Sequence, residues 1–240
     1  MRRLILIVGG SELVLFIATR LILAHWSGYE WQSELLRTVC RAGEAFVLWF
    51  FFRAIIFSGV PNRKGIQHPL FVAAVSALLA VPLLIGNWYL MGPVTKFVFA
   101  ATSIVVGIHE EFLFRGIMQN VVARRFGMLS SIGITSVVMT VWHVGAIPLN
   151  IFNYSQVFIV SCVLGLIYAR THSILAVVIL HALYDALWPL TPVLDEPLSR
   201  YWGTVLLVVA LIFTWLWARS ESWPNPAFER DCAKARSPSI

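Results

Sequence analysis

Six ionisable side chains lie in strongly apolar stretches of the chain, in the order Glu110, Glu111, Arg115, His143, His181 and Asp185. A charged group among apolar residues is costly, so such groups usually face a partner or a wet cavity. A carboxylate and an imidazole that share a dry pocket can deprotonate a water molecule. A second imidazole beside a carboxylate can then stabilise an oxyanion. These residue types therefore indicate hydrolysis of an amide bond.

The spacing within the first group separates the roles of its two glutamates. Glu111 and Arg115 are four residues apart, so on a helix they share a face and can form an ion pair. Glu110 is turned by about 100° from Glu111 and faces elsewhere. Two carboxylates in different surroundings can have different pKa values, as acid–base catalysis requires. We expect Glu111 and Arg115 to support the site, and Glu110 to act in it.

The third group also has helical spacing. His181 and Asp185 are four residues apart, and an Asp beside a His can orient the ring and fix its tautomer. Glu110, His143 and His181 also match a Glu/His/His zinc set with an open fourth position, so a metal mechanism stays open. The HExxH pattern of zincins is absent from the sequence. No Ser or Cys stands as an obvious nucleophile beside a His–Asp pair.

Composition places these residues in a membrane protein. Of the 240 residues, 59% are hydrophobic and 12% are charged, whereas an average soluble domain is about 25% charged. The net charge is +6, but the basic residues are scattered singly or in pairs between apolar runs. That distribution is typical of the loops of a multi-span protein and not of a nucleic-acid-binding patch. We therefore expect a lipid bilayer and no nucleic acid as partner.

We predict an all-α bundle of about eight transmembrane helices, because apolar runs of about 20 residues recur along the chain. The predicted spans are 4–24, 39–58, 69–91, 95–119, 129–147, 155–170, 173–190 and 202–219.

The distribution of Lys and Arg predicts that both termini lie in the cytoplasm. Residues 1–219 are expected to form a single integral membrane domain with a catalytic core at about 95–190. Residues 220–240 are expected to form a polar cytoplasmic tail. These features predict a multi-pass protein of the cell (inner or cytoplasmic) membrane, and the sequence does not determine its oligomeric state.

Four of the other ionisable groups within the predicted spans are interpreted as packing or pairing groups: Glu12, Arg20, Glu44 and His109.

The three motifs, in this order on consecutive apolar segments, resemble those of the CPBP family, which comprises CAAX prenyl proteases and bacteriocin-processing proteins and is also called Abi. The family pattern is EExxxR, then FxxxH, then HxxxN or HxxxD. Within about residues 100–190 the chain supplies the matching residues Glu110, Glu111, Arg115, His143, His181 and Asp185. Met139 stands where the family has Phe, and we interpret it as apolar packing that leaves the chemistry unchanged.

The resemblance implies an integral membrane endopeptidase of eight helices that acts on a membrane-associated or lipid-modified protein or peptide. It assigns one role to each pair of site residues: water activation to Glu110 and His143, the oxyanion side to His181 and Asp185, and support of the site to Glu111 and Arg115.

Members of this family have been described both as metalloproteases and as glutamate-dependent proteases without metal. We favour no cofactor, because no Cys and no third His joins the set. Zinc stays possible, with Glu110, His143 and His181 as its ligands. Two other functions remain open: a non-catalytic membrane immunity or scaffold protein of the same fold, and a proton-coupled transporter that uses Glu110 and the histidines as a relay. We rank the transporter last, since no inverted repeat is evident.

Overall fold

A computed structural model describes residues 2–25, 30–59, 64–85, 92–144, 150–191 and 197–220. The described chain is helical almost throughout, as a chain in lipid must be to bond its own backbone groups. Its elements are α1 (Arg2–His25), α2 (Trp31–Ile56), a 3₁₀ helix (Lys64–Gln67), α3 (Pro69–Ile85), α4 (Pro93–Glu111), a π-helix (Phe112–Gln119), α5 (Asn120–Phe126), α6 (Met128–Trp142), α7 (Ile151–Thr171), α8 (Ile174–Leu190) and α9 (Pro197–Ser220).

The prediction of an all-α bundle is confirmed. The helices α4 and α5 are joined by the π-helix into one apolar stretch, Pro93–Phe126, so the described chain contains eight long helical stretches. Four stretches are long and apolar enough to cross a membrane: Leu6–His25, Pro93–Phe126, Ile151–Thr171 and Arg200–Ser220. The orientation of these helices relative to the two sides of a membrane stays a prediction.

The bounds of α2 differ most from the prediction. The predicted span begins at residue 39, whereas α2 begins at Trp31. In its first turns Arg37 donates a hydrogen bond of 2.6 Å to Glu34, and Arg41 lies 3.9 Å from the same carboxylate. Because charges at helical spacing neutralise one another, the helix continues through residues that a count of apolar residues excludes.

Two further predicted bounds differ from those in the structure. The span predicted at 129–147 corresponds to α6, which ends at Trp142, and residues 145–149 lie outside the described residues. The polar tail was predicted to begin at residue 220, whereas Ser220 is still the last residue of α9. Residues 221–240 lie outside the described residues, so the tail stays a prediction.

The buried core is built mainly from α2, α3, α7, α8, α9 and the π-helix. Trp217 of α9 is fully buried and packs on Phe71 of α3 with ring centroids 4.9 Å apart. The outer faces are apolar too, and Leu6 of α1 is 73% exposed. An apolar outer surface of this kind suits contact with lipid and not with water.

Helices α4 and α8 approach each other closely at Gly107. A Cβ atom at this position would lie 3.1 Å from the Val178 carbonyl oxygen and 3.3 Å from the Ala182 nitrogen. Small residues allow helix backbones in membranes to come this close. The approach matters because α4 carries two of the glutamates and α8 carries the second histidine of the motif set.

We expect Gly107→Val to lower stability by about 1–3 kcal/mol, because the added branches meet backbone atoms of α8 that cannot rotate away. Thermal unfolding of the detergent-solubilised protein measures the effect. The matched control is Gly43→Val in α2, since a Cβ at Gly43 meets nothing within 4 Å. Equal losses of stability in the two variants would contradict the importance of this contact.

Candidate active site

The first motif lies where the long helix changes its winding. Glu110 and Glu111 are the last residues of α4, and Arg115 lies in the π-helix that follows. All three side chains are buried, Glu111 and Arg115 completely. Segments of π-helix are rare and occur frequently at functional sites. The local winding therefore marks this motif independently of its residue types.

Glu111 connects the first motif to the third. Its Oε2 lies 3.3 Å from Nε of Arg115, which is the ion pair expected from the spacing. Its Oε1 accepts a hydrogen bond of 2.7 Å from Nδ1 of His181. Charge-assisted hydrogen bonds of this length are among the stronger ones in proteins. Glu111 thus holds the His181 ring and is itself held by Arg115.

Arg115 is bonded to two neighbouring helices as well. Its Nη2 donates to the Ser161 carbonyl oxygen at 3.1 Å and to the Ser161 hydroxyl at 3.2 Å. Its Nη1 donates to the Met139 sulfur at 3.3 Å. The expectation that Met139 is only apolar packing is therefore wrong, because a thioether sulfur is a weak acceptor. Arg115 ties the π-helix to α6 and α7.

The Nε2 atom of His181 faces two further carboxylates. It lies 3.5 Å from Oδ2 of Asp185 and 3.8 Å from Oε2 of Glu110. The short hydrogen bond of the ring is the one that Nδ1 donates to Glu111. Orientation of the ring by Asp185, whose side chain is 25% exposed, stays a prediction.

His143 caps the C-terminus of α6 and is half-buried. Its Nδ1 lies 2.8 Å from the Met139 carbonyl oxygen. A carbonyl only accepts, so this contact places the proton on Nδ1 and leaves Nε2 of the neutral ring as an acceptor. Glu110 interacts electrostatically with both His143 and His181. Residues of α6 and α8 thus interact electrostatically with Glu110 of α4.

Arg41 of α2 also contributes charge to this cluster, and sequence reasoning missed it. It interacts electrostatically with Glu110 and Asp185. The sequence did contain a signal: Glu34, Arg37 and Arg41 recur at intervals of three and four residues, as on one helix face. Because α2 was predicted to begin later, this face was assigned to no helix.

The expected zinc ligands are not close together. In the part of the chain that the structure describes, the ligand atoms of Glu110, His143 and His181 do not all lie within 4.8 Å of one another, whereas those of Glu12, Glu44 and His109 do. The three residues suggested by the sequence as zinc ligands thus do not form a compact ligand set here.

Residues 92–187 match the family model of the Rce1-like proteins, described as type II CAAX prenyl endopeptidase Rce1-like. This match supports the resemblance to the CAAX protease family. The matched segment runs from the start of α4 to near the end of α8 and contains all six motif residues. No curated protein and no solved structure matches the chain. The four apolar helices and the match to a family of membrane proteases support a membrane protein.

Proposed function

We propose that the chain is an intramembrane endopeptidase that hydrolyses a peptide bond in a membrane-associated or lipid-modified protein or peptide. One observation carries the proposal: the buried carboxylate of Glu110 faces Nε2 of His181 at 3.8 Å, within an Rce1-like segment. The other ring nitrogen of His181 is fixed by Glu111. A buried acid, a base and a fixed donor are the groups that hydrolysis needs.

Glu110 and His143 activate the water. Glu110 Oε2 is buried and has no hydrogen-bond partner among the described residues, so it is available to a reactant. Nε2 of His143 is available as an acceptor because Nδ1 faces the Met139 carbonyl. The water oxygen attacks the carbonyl carbon of the scissile bond, and its proton passes to this acid–base pair. Such proton transfer contributes about 10²–10⁴-fold to the rate.

His181 stabilises the tetrahedral intermediate. Because Glu111 accepts from Nδ1, the ring presents Nε2 to the reaction, and a proton on Nε2 donates to the oxyanion. Asp185, 3.5 Å from Nε2, balances the positive charge of the doubly protonated ring. The C–N bond then breaks, and the proton held by Glu110 and His143 moves to the leaving amine. The reaction thus yields a carboxylic acid and an amine without a covalent intermediate between substrate and protein.

A groove beside the site supports a substrate that comes from the membrane. It has a volume of about 620 Å³ and is lined only by apolar residues, most of them in α4 and α8. Ile108 and Phe112 of its lining lie within two residues of Glu110 in sequence. Ala182 and Ala186 of its lining directly follow His181 and Asp185. An apolar groove next to polar reacting groups suits a lipid chain or an apolar peptide segment.

The test is cleavage of a peptide with a C-terminal CAAX sequence by the purified protein in lipid vesicles, analysed by mass spectrometry. We expect kcat/KM to be about tenfold or more higher for the farnesylated peptide than for the unmodified one, since two buried CH₂ groups already contribute about 1.6 kcal/mol. Ala186→Phe, which fills part of the groove, should raise KM for the farnesylated peptide and leave kcat nearly unchanged.

Two results would contradict the proposal. If neither peptide is cut, and the Glu110→Gln protein replaces the wild type fully in its biological function in cells, the protein is a non-catalytic scaffold. If the vesicles instead accumulate solute when a pH gradient is applied, and Glu110→Gln stops this uptake, the protein is a proton-coupled transporter.

A further inference from the structure

A second cluster of ionisable side chains lies outside the candidate active site. It joins Glu12 of α1, Glu44 of α2 and His109 of α4, and all three residues are buried. Nε2 of His109 lies 3.3 Å from Oε1 of Glu12 and 3.3 Å from Oε2 of Glu44. One ligand atom from each residue lies within 4.8 Å of the others. The proposed hydrolysis uses none of these three residues.

The hydrogen bonds of this cluster leave Glu44 unsatisfied. Nε2 of His109 carries at most one proton, and Glu12 forms a hydrogen bond with that nitrogen. Neither oxygen of Glu44 has a hydrogen-bond partner among the described residues, although its side chain is only 4% exposed. Oε2 of Glu44 lies 3.3 Å from the same nitrogen, so two buried carboxylates share one imidazole. Because a buried charge that is not fully compensated costs several kcal/mol, the cluster favours a further positive charge.

The distances match those between ligands of a divalent metal ion. Bonds of about 2.0–2.2 Å at tetrahedral angles place neighbouring ligand atoms roughly 3.3–3.6 Å apart. His109 lies 3.3 Å from each of the two carboxylates. Two carboxylates neutralise a 2+ ion, and the imidazole then binds as the neutral ring. A set of one nitrogen and two oxygen ligands suits Zn²⁺ or a related first-row ion.

We propose that Glu12, Glu44 and His109 form a metal site for Zn²⁺ or a related divalent ion, which fastens α1 to α2 and α4. Within residues 6–25 of α1, only Glu12 and Leu15 are buried. Apolar burial therefore holds this helix weakly, and a glutamate is among its most buried side chains. A metal ion at Glu12 supplies the attachment that apolar contacts do not.

The experiment titrates Zn²⁺ alone into purified protein that has been stripped with chelator, with metal analysis and thermal unfolding as readouts. We expect the wild-type protein to bind Zn²⁺ and to unfold at a higher temperature when Zn²⁺ is present. Glu44→Gln should bind one equivalent fewer, or about 100-fold more weakly, because losing a ligand costs at least as much as losing its supporting hydrogen bond.

Two controls locate the metal. Glu34→Gln makes the same change at another buried glutamate of α2, one that pairs with Arg37. This variant should bind as much Zn²⁺ as the wild type. His143→Ala should also do so, because His143 belongs to the other site. If Glu44→Gln fails to fold, Glu12→Gln repeats the test from α1.

The proposal is overturned if the wild-type protein binds no Zn²⁺, or if Glu44→Gln and Glu12→Gln bind as much as the wild type. It is also overturned if His143→Ala loses the bound Zn²⁺ and Glu44→Gln keeps it, since the metal then lies in the candidate active site. Peptide cleavage is measured separately, so failure of the metal proposal and failure of the proposed hydrolysis are distinguishable.

Discussion

Glu110→Gln is expected to lower kcat for peptide cleavage by about 10³-fold and to leave KM nearly unchanged. Glutamine keeps the size of the side chain but cannot take a proton from water, so only the chemical step loses a contribution of about 10²–10⁴-fold. Substrate contacts in the apolar groove are untouched. A loss confined to kcat is the signature of an interaction made in the transition state.

Steady-state kinetics on the lipid-modified peptide measure this effect, with stability checked by thermal unfolding. The matched control is Glu30→Gln, the same chemical change at an exposed glutamate just before α2, which should retain wild-type kcat. Full activity of a folded Glu110→Gln protein would remove Glu110 from the mechanism. A loss seen only in KM would make it a substrate-binding residue instead.

Arg115→Met is expected to destabilise the protein by about 3–5 kcal/mol, and adding Glu111→Gln is expected to restore most of that loss. The single change leaves a fully buried carboxylate without its guanidinium partner, which is strongly destabilising, whereas removing both charges of a buried pair is often nearly neutral. The pair is buried at 3.3 Å, so its two members should show strong energetic coupling in a double-mutant cycle.

Activity should not recover with stability in the double variant. Glu111 accepts from His181 at 2.7 Å, and a neutral amide replaces that charge-assisted bond with a weaker one. A difference of about 1.4 kcal/mol predicts that kcat stays about tenfold below wild type. This result separates positioning of His181 from support of the fold.

Thermal unfolding and kcat measured on all members of the cycle test this prediction. Arg124→Met, at an exposed arginine of α5, is the control and should change neither quantity. If kcat returns to the wild-type value together with stability, Glu111 serves only as the ion-pair partner of Arg115. If the double variant is no more stable than Arg115→Met, the two charges are not energetically coupled.

Contacts within one helix were predictable from spacing. The pairs Glu111–Arg115 and His181–Asp185 were expected from their four-residue intervals, and both are close in the structure. A helix fixes the angle between residues at known spacing, so no knowledge of other helices is needed. The same reasoning did not anticipate the π-helix, because its winding depends on the packing around it.

Contacts between helices were not predictable in this way. Glu111 bonds His181 across 70 residues of sequence, and Met139 accepts from Arg115 across 24. Spacing determines which face of a helix a residue occupies, but it leaves open how that helix is rotated and which neighbour it meets. At Gly107 the absence of a side chain decides how closely α8 approaches α4, and with it the position of His181.

The amino-acid sequence by itself determined an all-helical membrane protein and the identity of the six motif residues, because charge is scarce in this chain and every buried charge stands out. Only the tertiary structure decided that Glu111 bonds His181, that Arg41 interacts electrostatically with the site, and that three groups interpreted as packing residues form a second cluster. Those outcomes depend on rotation and close approach of helices, which apolar periodicity does not encode.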